Sequence, residues 1–178
     1  MAQVTDTEST EFSVFVRAHS TALLRSAYLL TGDRAAAEDL VQDTLVRLFP
    51  RWSKVVTADV PLAYVRRSMT NNFLNGRRRR AGHEVLFADP PERGYDSDPA
   101  GPLSDRELVR GLLADLPPKQ RAVLVLRFYD DLSDAQIAAD LGCRQGTVRS
   151  IVSRGLATLR AETERRSRDI SPTNGNLR

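Results

Sequence analysis

The stretch S-D-A-Q-I-A-A-D-L-G-C-R-Q-G-T-V-R-S-I-V-S-R-G-L (Ser133–Leu156) decides the fold. Ser133 followed by Gln136 reads as a capping box, in which the side chains at the first and fourth positions cap each other's backbone N–H groups. Ile137, Ala138 and Leu141 then supply the buried face of a short helix. Gly142 stands where a left-handed residue turns the chain sharply. A second helix is predicted over 146–160, with Val148, Ile151, Val152, Leu156 and Leu159 inward. Its other face carries Thr147, Arg149, Ser150, Ser153 and Arg154, with Arg144 and Gln145 just before it. A short helix, a glycine turn and a helix with one polar, basic face make a helix-turn-helix. Arg reads guanine bidentately, and Ser and Thr reach phosphates or base edges. The bland alternative is a helical hairpin with a solvated face. Cys143, in the turn, reads as a small buried filler.

Working outward, charge changes sign by segment. Residues 64–80 hold six Arg and no acid, and residues 143–168 hold seven Arg against two acids. Between them, residues 81–103 hold five acids and one Arg, with Pro90, Pro91, Pro99 and Pro102 and three glycines. Two basic islands divided by an acidic linker suit a protein that meets two stretches of one polyanion. The first domain is placed at about 10–80, the linker at 81–103, the second domain at about 104–166 and a disordered tail at 167–178. Fully extended, the linker reaches at most about 75–80 Å, at 3.3–3.6 Å per residue. That length spans sites one to two DNA turns apart, at about 34–36 Å per turn.

Nearly everything outside the linker reads as helix, so the fold class is all-α: two small helical domains joined by a flexible linker. In the first domain a helix runs between Glu11 and Leu30, and Thr31-Gly32-Asp33 turns the chain, with Asp33 as N-cap of the next. From Arg34 to Phe49, Ala37, Leu40, Val41, Leu45, Leu48 and Phe49 form an amphipathic stripe that Pro50 ends. Opposite lie Glu38, Asp39, Gln42, Asp43 and Arg47, either a solvated face with an internal ion pair or a docking surface for a basic partner. A third helix is expected over 61–75, ended by Gly76, with Val65, Met69 and Phe73 inward and Arg66, Arg67, Thr70, Asn71 and Asn75 outside. Arg77, Arg78, Arg79 and Arg80 follow. Arg neutralises phosphates, Asn pairs with base edges, and an aromatic ring stacks on an unpaired base. Trp52 and Tyr64 bracket a loop, 53–60, suited to receive such a base. In the second domain, helices are expected over 105–116 and 119–129, separated by Pro117-Pro118.

The chain has 178 residues, 41% hydrophobic and 28% charged, with a net charge of +3. This is a globular composition and not a disordered one. One cysteine excludes an intramolecular disulfide framework, and two distant histidines leave no Cys/His metal site, so no cofactor or metal is expected. The start, MAQVTDTESTEF, is acidic and polar, unlike a secretory signal, and no apolar run nears the roughly 18–20 residues of a membrane span. A cytoplasmic protein without membrane insertion is expected. No nucleophile motif or Gly-rich phosphate loop marks an enzyme, and Asp130-Asp131 is read as a solvated or capping turn.

Two stretches resemble a known family. D-R-A-A-A-E-D-L-V-Q-D-T-L-V-R-L-F (Asp33–Phe49), with Y-V-R-R…N-N-F-L…R-R-R-R behind it, resembles region two of bacterial extracytoplasmic-function sigma factors of the sigma-E-like actinobacterial type. Leu116–Arg160 resembles region four. The resemblance implies a subunit that binds core RNA polymerase at its clamp helices and flap and directs it to promoter DNA. Glu38, Asp39, Gln42, Asp43 and Arg47 would meet the clamp helices. Trp52, Tyr64, Arg66, Arg67, Thr70, Asn71, Asn72, Asn75 and Arg77–Arg80 would recognise and open the minus-10 element. Arg144, Gln145, Thr147, Arg149, Ser150, Ser153 and Arg154 would read the minus-35 element. An anti-sigma factor is an implied partner. Ser68 stands where many members carry Asn, and Arg149 where many carry Lys. The competing reading is a free-standing helix-turn-helix regulator.

Overall fold

The structure is a computed structural model that describes residues 6–83 and 105–170. The expected linker beyond His83 and the tail from 171 lie outside the described residues. The described residues form eight α-helices and one 3-10 turn: α1 (Asp6–Thr31), α2 (Arg34–Leu48), the turn Phe49–Arg51, α3 (Trp52–Val56), α4 (Pro61–His83), α5 (Asp105–Ala114), α6 (Pro118–Phe128), α7 (Asp134–Leu141) and α8 (Gln145–Ile170).

The local signals act as their chemistry dictates. Gly32, at φ +77°, closes α1, and its N–H donates to the Tyr28 carbonyl at 2.8 Å. Asp33 then caps α2, its Oδ1 accepting from the Ala36 N–H at 2.7 Å. Pro50 does not simply end the chain's helical course. It sits at the start of a tight 3-10 turn that leads into α3, so the expected loop 53–60 shrinks to about 57–60. Gly76 does not end its helix either. α4 continues to His83, and α8 runs on to Ile170, through residues 167–170 that were expected to be disordered. An isolated glycine costs a helix only about 1 kcal/mol, which a long helix absorbs.

Two apolar clusters hold the structure. The larger is built on Leu23, Ala27, Leu30, Val41, Leu48, Trp52, Val55, Val65, Met69 and Phe73, and it continues into Leu113, Leu116, Ala122, Leu124 and Val125. The smaller, Val123, Leu126, Ile137, Ala138, Val148 and Ile151, is the helix-turn-helix core, with Cys143 packed on its edge as a filler. α6 joins them. Its residues Arg121–Leu126 are all buried, as expected of a helix enclosed on every side. Where α8 crosses it, a Cβ at Gly155 would meet Leu124 Cδ1 at 3.0 Å, so a larger residue there would have to push the Leu124 side chain aside by a few tenths of an ångström.

The two domains are therefore not separate bodies in this conformation. Arg121 is buried, and its Nη1 donates to the Leu30 carbonyl at 2.7 Å while Nη2 donates to the Ala114 carbonyl at 2.5 Å. Arg110 Nη1 donates to the Gly32 carbonyl at 2.7 Å.

Candidate promoter and polymerase interface

The helix-turn-helix forms as its sequence requires. Ser133 Oγ accepts from the Gln136 N–H at 3.3 Å, and Gln136 Oε1 accepts from the Ser133 N–H at 2.9 Å, completing the capping box. Gly142, at φ 61°, turns the chain into α8. Burial of Val148 and Ile151 then orients that helix. As a result Arg144, Gln145, Thr147, Arg149, Ser150, Ser153 and Arg154 are all exposed on one surface. Asp134 sets part of it: Oδ1 accepts from Arg127 Nη1 at 2.9 Å and Oδ2 from Arg149 Nε at 3.3 Å. Arg127, Arg149, Arg160 and Ser153 line a cleft of about 360 Å³ beside it. Sequence reasoning passed over Asp134, Arg127 and Arg160, because the link joins three helices and no single periodicity reports it.

α4 meets the expectations only in part. Val65, Met69 and Phe73 are buried as read from their spacing of four. Tyr64, Arg67 and Asn75 are exposed, and Arg66 and Asn71 are half-buried. Thr70 is not an outward donor, since it is 2% exposed. Asn72 turns toward α2, where its Nδ2 donates to Thr44 Oγ1 at 3.4 Å. The side chains of Arg77–Arg80 lie outside the described residues. Trp52 is not available to a base in this conformation. It is 1% exposed, with its ring 5.0 Å from both Phe12 and Phe15. The ring fills the core through its apolar area, while its buried Nε1 has no hydrogen-bond partner among the described residues. The rim of the short loop is instead formed by Tyr64, Val56 and Val60, all exposed. The two valines carry no polar signal and were not singled out in the sequence.

On α2, Glu38, Asp39, Gln42, Asp43 and Arg47 are all exposed on the face opposite the core. Asp39, Asp43 and Arg47 form no ion pair with each other among the described residues. The pair that forms on this helix is Arg34–Glu38, at 3.0 Å and largely solvated. Val46, 63% exposed, sits among these polar groups and off the buried stripe, which gives the acidic face an aliphatic spot.

The Asp130-Asp131 turn differs most from its reading. Asp131 has φ 55°, a strained value that Asp tolerates better than most residues. Asp130 is buried. Its Oδ2 accepts from Ser26 Oγ at 3.2 Å, and its Oδ1 lies 3.3 Å from Arg66 Nε. Burial pushes its carboxyl above the ordinary range, against the opposing pull of Arg66 and the Ser26 hydrogen bond. Asp140 lies 3.6 Å from Arg67 Nε and is pushed up in the same way by burial.

Among the described residues, no helix is long and apolar enough to cross a membrane, and no cluster of three His, Cys, Asp or Glu side chains has the arrangement to hold a metal ion.

Comparison with known proteins shows the family. Residues 15–83 match the family "Sigma-70 region 2", and residues 106–159 match "Sigma-70, region 4". The chain is 41% identical to an RNA polymerase sigma-E factor of Streptomyces avermitilis, over 91% of this chain and 90% of that one. It is 33% identical to the ECF RNA polymerase sigma factor SigL of Mycobacterium tuberculosis, over 80% and 82%. Among solved structures, the sigma factor RpoE of Bartonella quintana, in complex with the anti-sigma factor NepR, matches with a TM-score of 0.69 at 25% identity, over 86% of this chain and 97% of that one. With both regions present in order on one all-helical chain, the protein belongs to the actinobacterial extracytoplasmic-function sigma factors, the subunits that bind core RNA polymerase and direct transcription initiation at promoter DNA.

Proposed function

We propose that the chain divides this task between two recognition helices and one docking face. α8 reads the minus-35 element through Arg144, Gln145, Thr147, Arg149, Ser150, Ser153 and Arg154. The single observation that carries this reading is the capped, glycine-turned helix-turn-helix that leaves all seven of these side chains exposed together. α4, with Tyr64, Arg66, Arg67, Asn71, Asn75 and the Arg77–Arg80 run, recognises and opens the minus-10 element. The base-accepting surface is the loop at 57–60 with its rim of Val56, Val60 and Tyr64, in place of Trp52. The face of α2 formed by Glu38, Asp39, Gln42, Asp43 and Arg47 docks on basic polymerase surface at the clamp helices, with Val46 adding apolar contact.

The minus-10 domain spans the region-2 helices and the minus-35 domain the region-4 helices, with residues 84–104 between them. The protein has no catalysis of its own and acts in the cytoplasm, where its polymerase is. An anti-sigma factor is its regulator. The likeness to a sigma factor bound by one, across both domains, supports that partner.

Run-off transcription with purified core polymerase tests the reading. Promoter-specific transcripts that depend on this chain are expected. Specific binding to duplex DNA with no effect on polymerase would instead make it a free-standing regulator.

A further inference from the structure

Arg144, Arg149 and Arg154 share the exposed reading surface of α8, but they are not held alike. Arg154 Nε donates to the Ser150 carbonyl at 3.2 Å, one turn back on its own helix. Among the described residues, Arg149 alone of the three is held by a side chain of another helix, its Nε donating to Asp134 Oδ2 on α7 at 3.3 Å. We propose that Asp134 is a positioning residue for promoter reading: it grips Arg149 by Nε and presents the Nη edge of the guanidinium to the base that Arg149 reads, so that preference for this base depends on an acid that does not touch DNA. This inference rests on α8 being the minus-35 reader.

The anchor is itself fixed from two sides. Asp134 is the first residue of α7, directly after the Ser133–Gln136 capping box, where the helix dipole favours an acid. Its other oxygen, Oδ1, accepts from Arg127 Nη1 of α6 at 2.9 Å. The Asp134 side chain is 22% exposed and that of Arg149 69%, so a recessed carboxylate holds an arm that reaches into solvent. Two guanidinium groups to one carboxylate leave the trio with a net positive charge, and the acid does not cancel the basic surface around it. The link suits arginine and not lysine. A guanidinium offers Nε to the carboxylate and still has both Nη groups for the paired acceptors of a guanine, whereas a lysine has a single ammonium for both. An exposed ion pair adds little to stability. Its consequence is orientation: an arginine held before contact has less freedom to lose on binding.

The test reads base preference position by position. Core polymerase reconstituted with the full chain transcribes a promoter library randomised at both elements, and the templates used are sequenced. Arg149→Ala first identifies the minus-35 position that Arg149 reads, as the one whose preference it flattens. Asp134→Asn, which keeps the shape of the side chain and removes its charge, should flatten the same position by about five- to tenfold, a part of what a bidentate arginine–base pair discriminates. The positions set by Arg154 should keep their preference, which shows that the helix-turn-helix is folded. Binding of the full chain to a mixed-sequence duplex at low ionic strength should stay equal or tighten up to about threefold, because an acid has left a basic surface. Specific and non-specific binding are thus expected to move apart.

Three results overturn the proposal while leaving α8 as the reader. Asp134→Asn could leave the position set by Arg149 unchanged, in which case Arg149 needs no anchor. It could flatten every minus-35 position alike, which makes Asp134 a support of the whole motif. Asp134→Asn added to Arg149→Ala could remove preference that Arg149→Ala alone retains, which means that Asp134 contacts the promoter itself. The proposal predicts no further loss in that double variant. If Arg149→Ala changes no position at all, the reading role of Arg149 fails and the proposal fails with it.

Discussion

The two basic helices differ in what surrounds them. α8 presents its whole polar face to solvent from its first turn, held by a local device of capping box, left-handed glycine and small apolar core. α4 presents a mixture. Arg67 and Asn75 are exposed, Arg66 is half-covered beside Asp130, Asn72 leans on Thr44, and Thr70 is buried. Amphipathic spacing reveals which side of a helix faces away from its own core. It says nothing of whether another part of the chain lies across that side. The basic face of α8 is formed and exposed, whereas Arg66 and Arg67 of α4 lie beside Asp130 and Asp140 of the second domain.

The contrast can be broken most forcefully at Trp52, which the sequence placed on DNA and the structure places in the core. Trp52→Ala should cost about 3–5 kcal/mol of stability through the cavity it leaves, read as a large drop in Tm. Unchanged stability with lost minus-10 binding would return the ring to the surface. On the open helix the opposite pattern is expected. Arg149→Ala and Arg154→Ala should each weaken minus-35 binding by about 1–3 kcal/mol if they contact bases, with little change in Tm, since Arg149's exposed pairing with Asp134 is worth at most about 1 kcal/mol. If neither alters affinity or sequence preference, α8 is not the reader. Ser133→Ala should cost about 1 kcal/mol by removing the cap, lowering the denaturation midpoint. No change would mean that Gln136 alone holds the helix start.

The smallest effect is on pH dependence. Asp130's carboxyl titrates above its ordinary 3.8 in the folded chain, so the folded state holds a proton there more tightly than the unfolded state. The stability this gives is complete below the ordinary value and is lost as pH rises through the folded one. Asp130→Asn should flatten that acid limb in stability measured against pH. A limb of unchanged steepness would show that Asp130 does not titrate in contact with Arg66 and Ser26.

Local chemistry was legible in the sequence. Asp33, Ser133–Gln136 and Gly142 announce helix ends because each acts within four residues. Spacing of three and four exposed the buried faces of α2, α4 and α8, since that period is set by the helix itself. Three things were not legible. α3 follows Pro50 because the proline's fixed φ fits a tight helical turn as well as a stop. Trp52 carries an amphipathic ring whose fate depends on Phe12 and Phe15, some forty residues away in sequence. Asp130 is buried by Ser26 and Arg66 from the other domain, so its own turn gives no sign of it.

The most direct test of the account is transcription by reconstituted polymerase on a promoter library randomised at both elements. It compares the wild-type chain with Arg149→Ala/Arg154→Ala and with Arg66→Ala/Arg67→Ala. The account predicts that the first pair loses preference at the minus-35 element alone and the second weakens use of the minus-10 element alone. Both pairs altering the same element, or neither altering any, would contradict it.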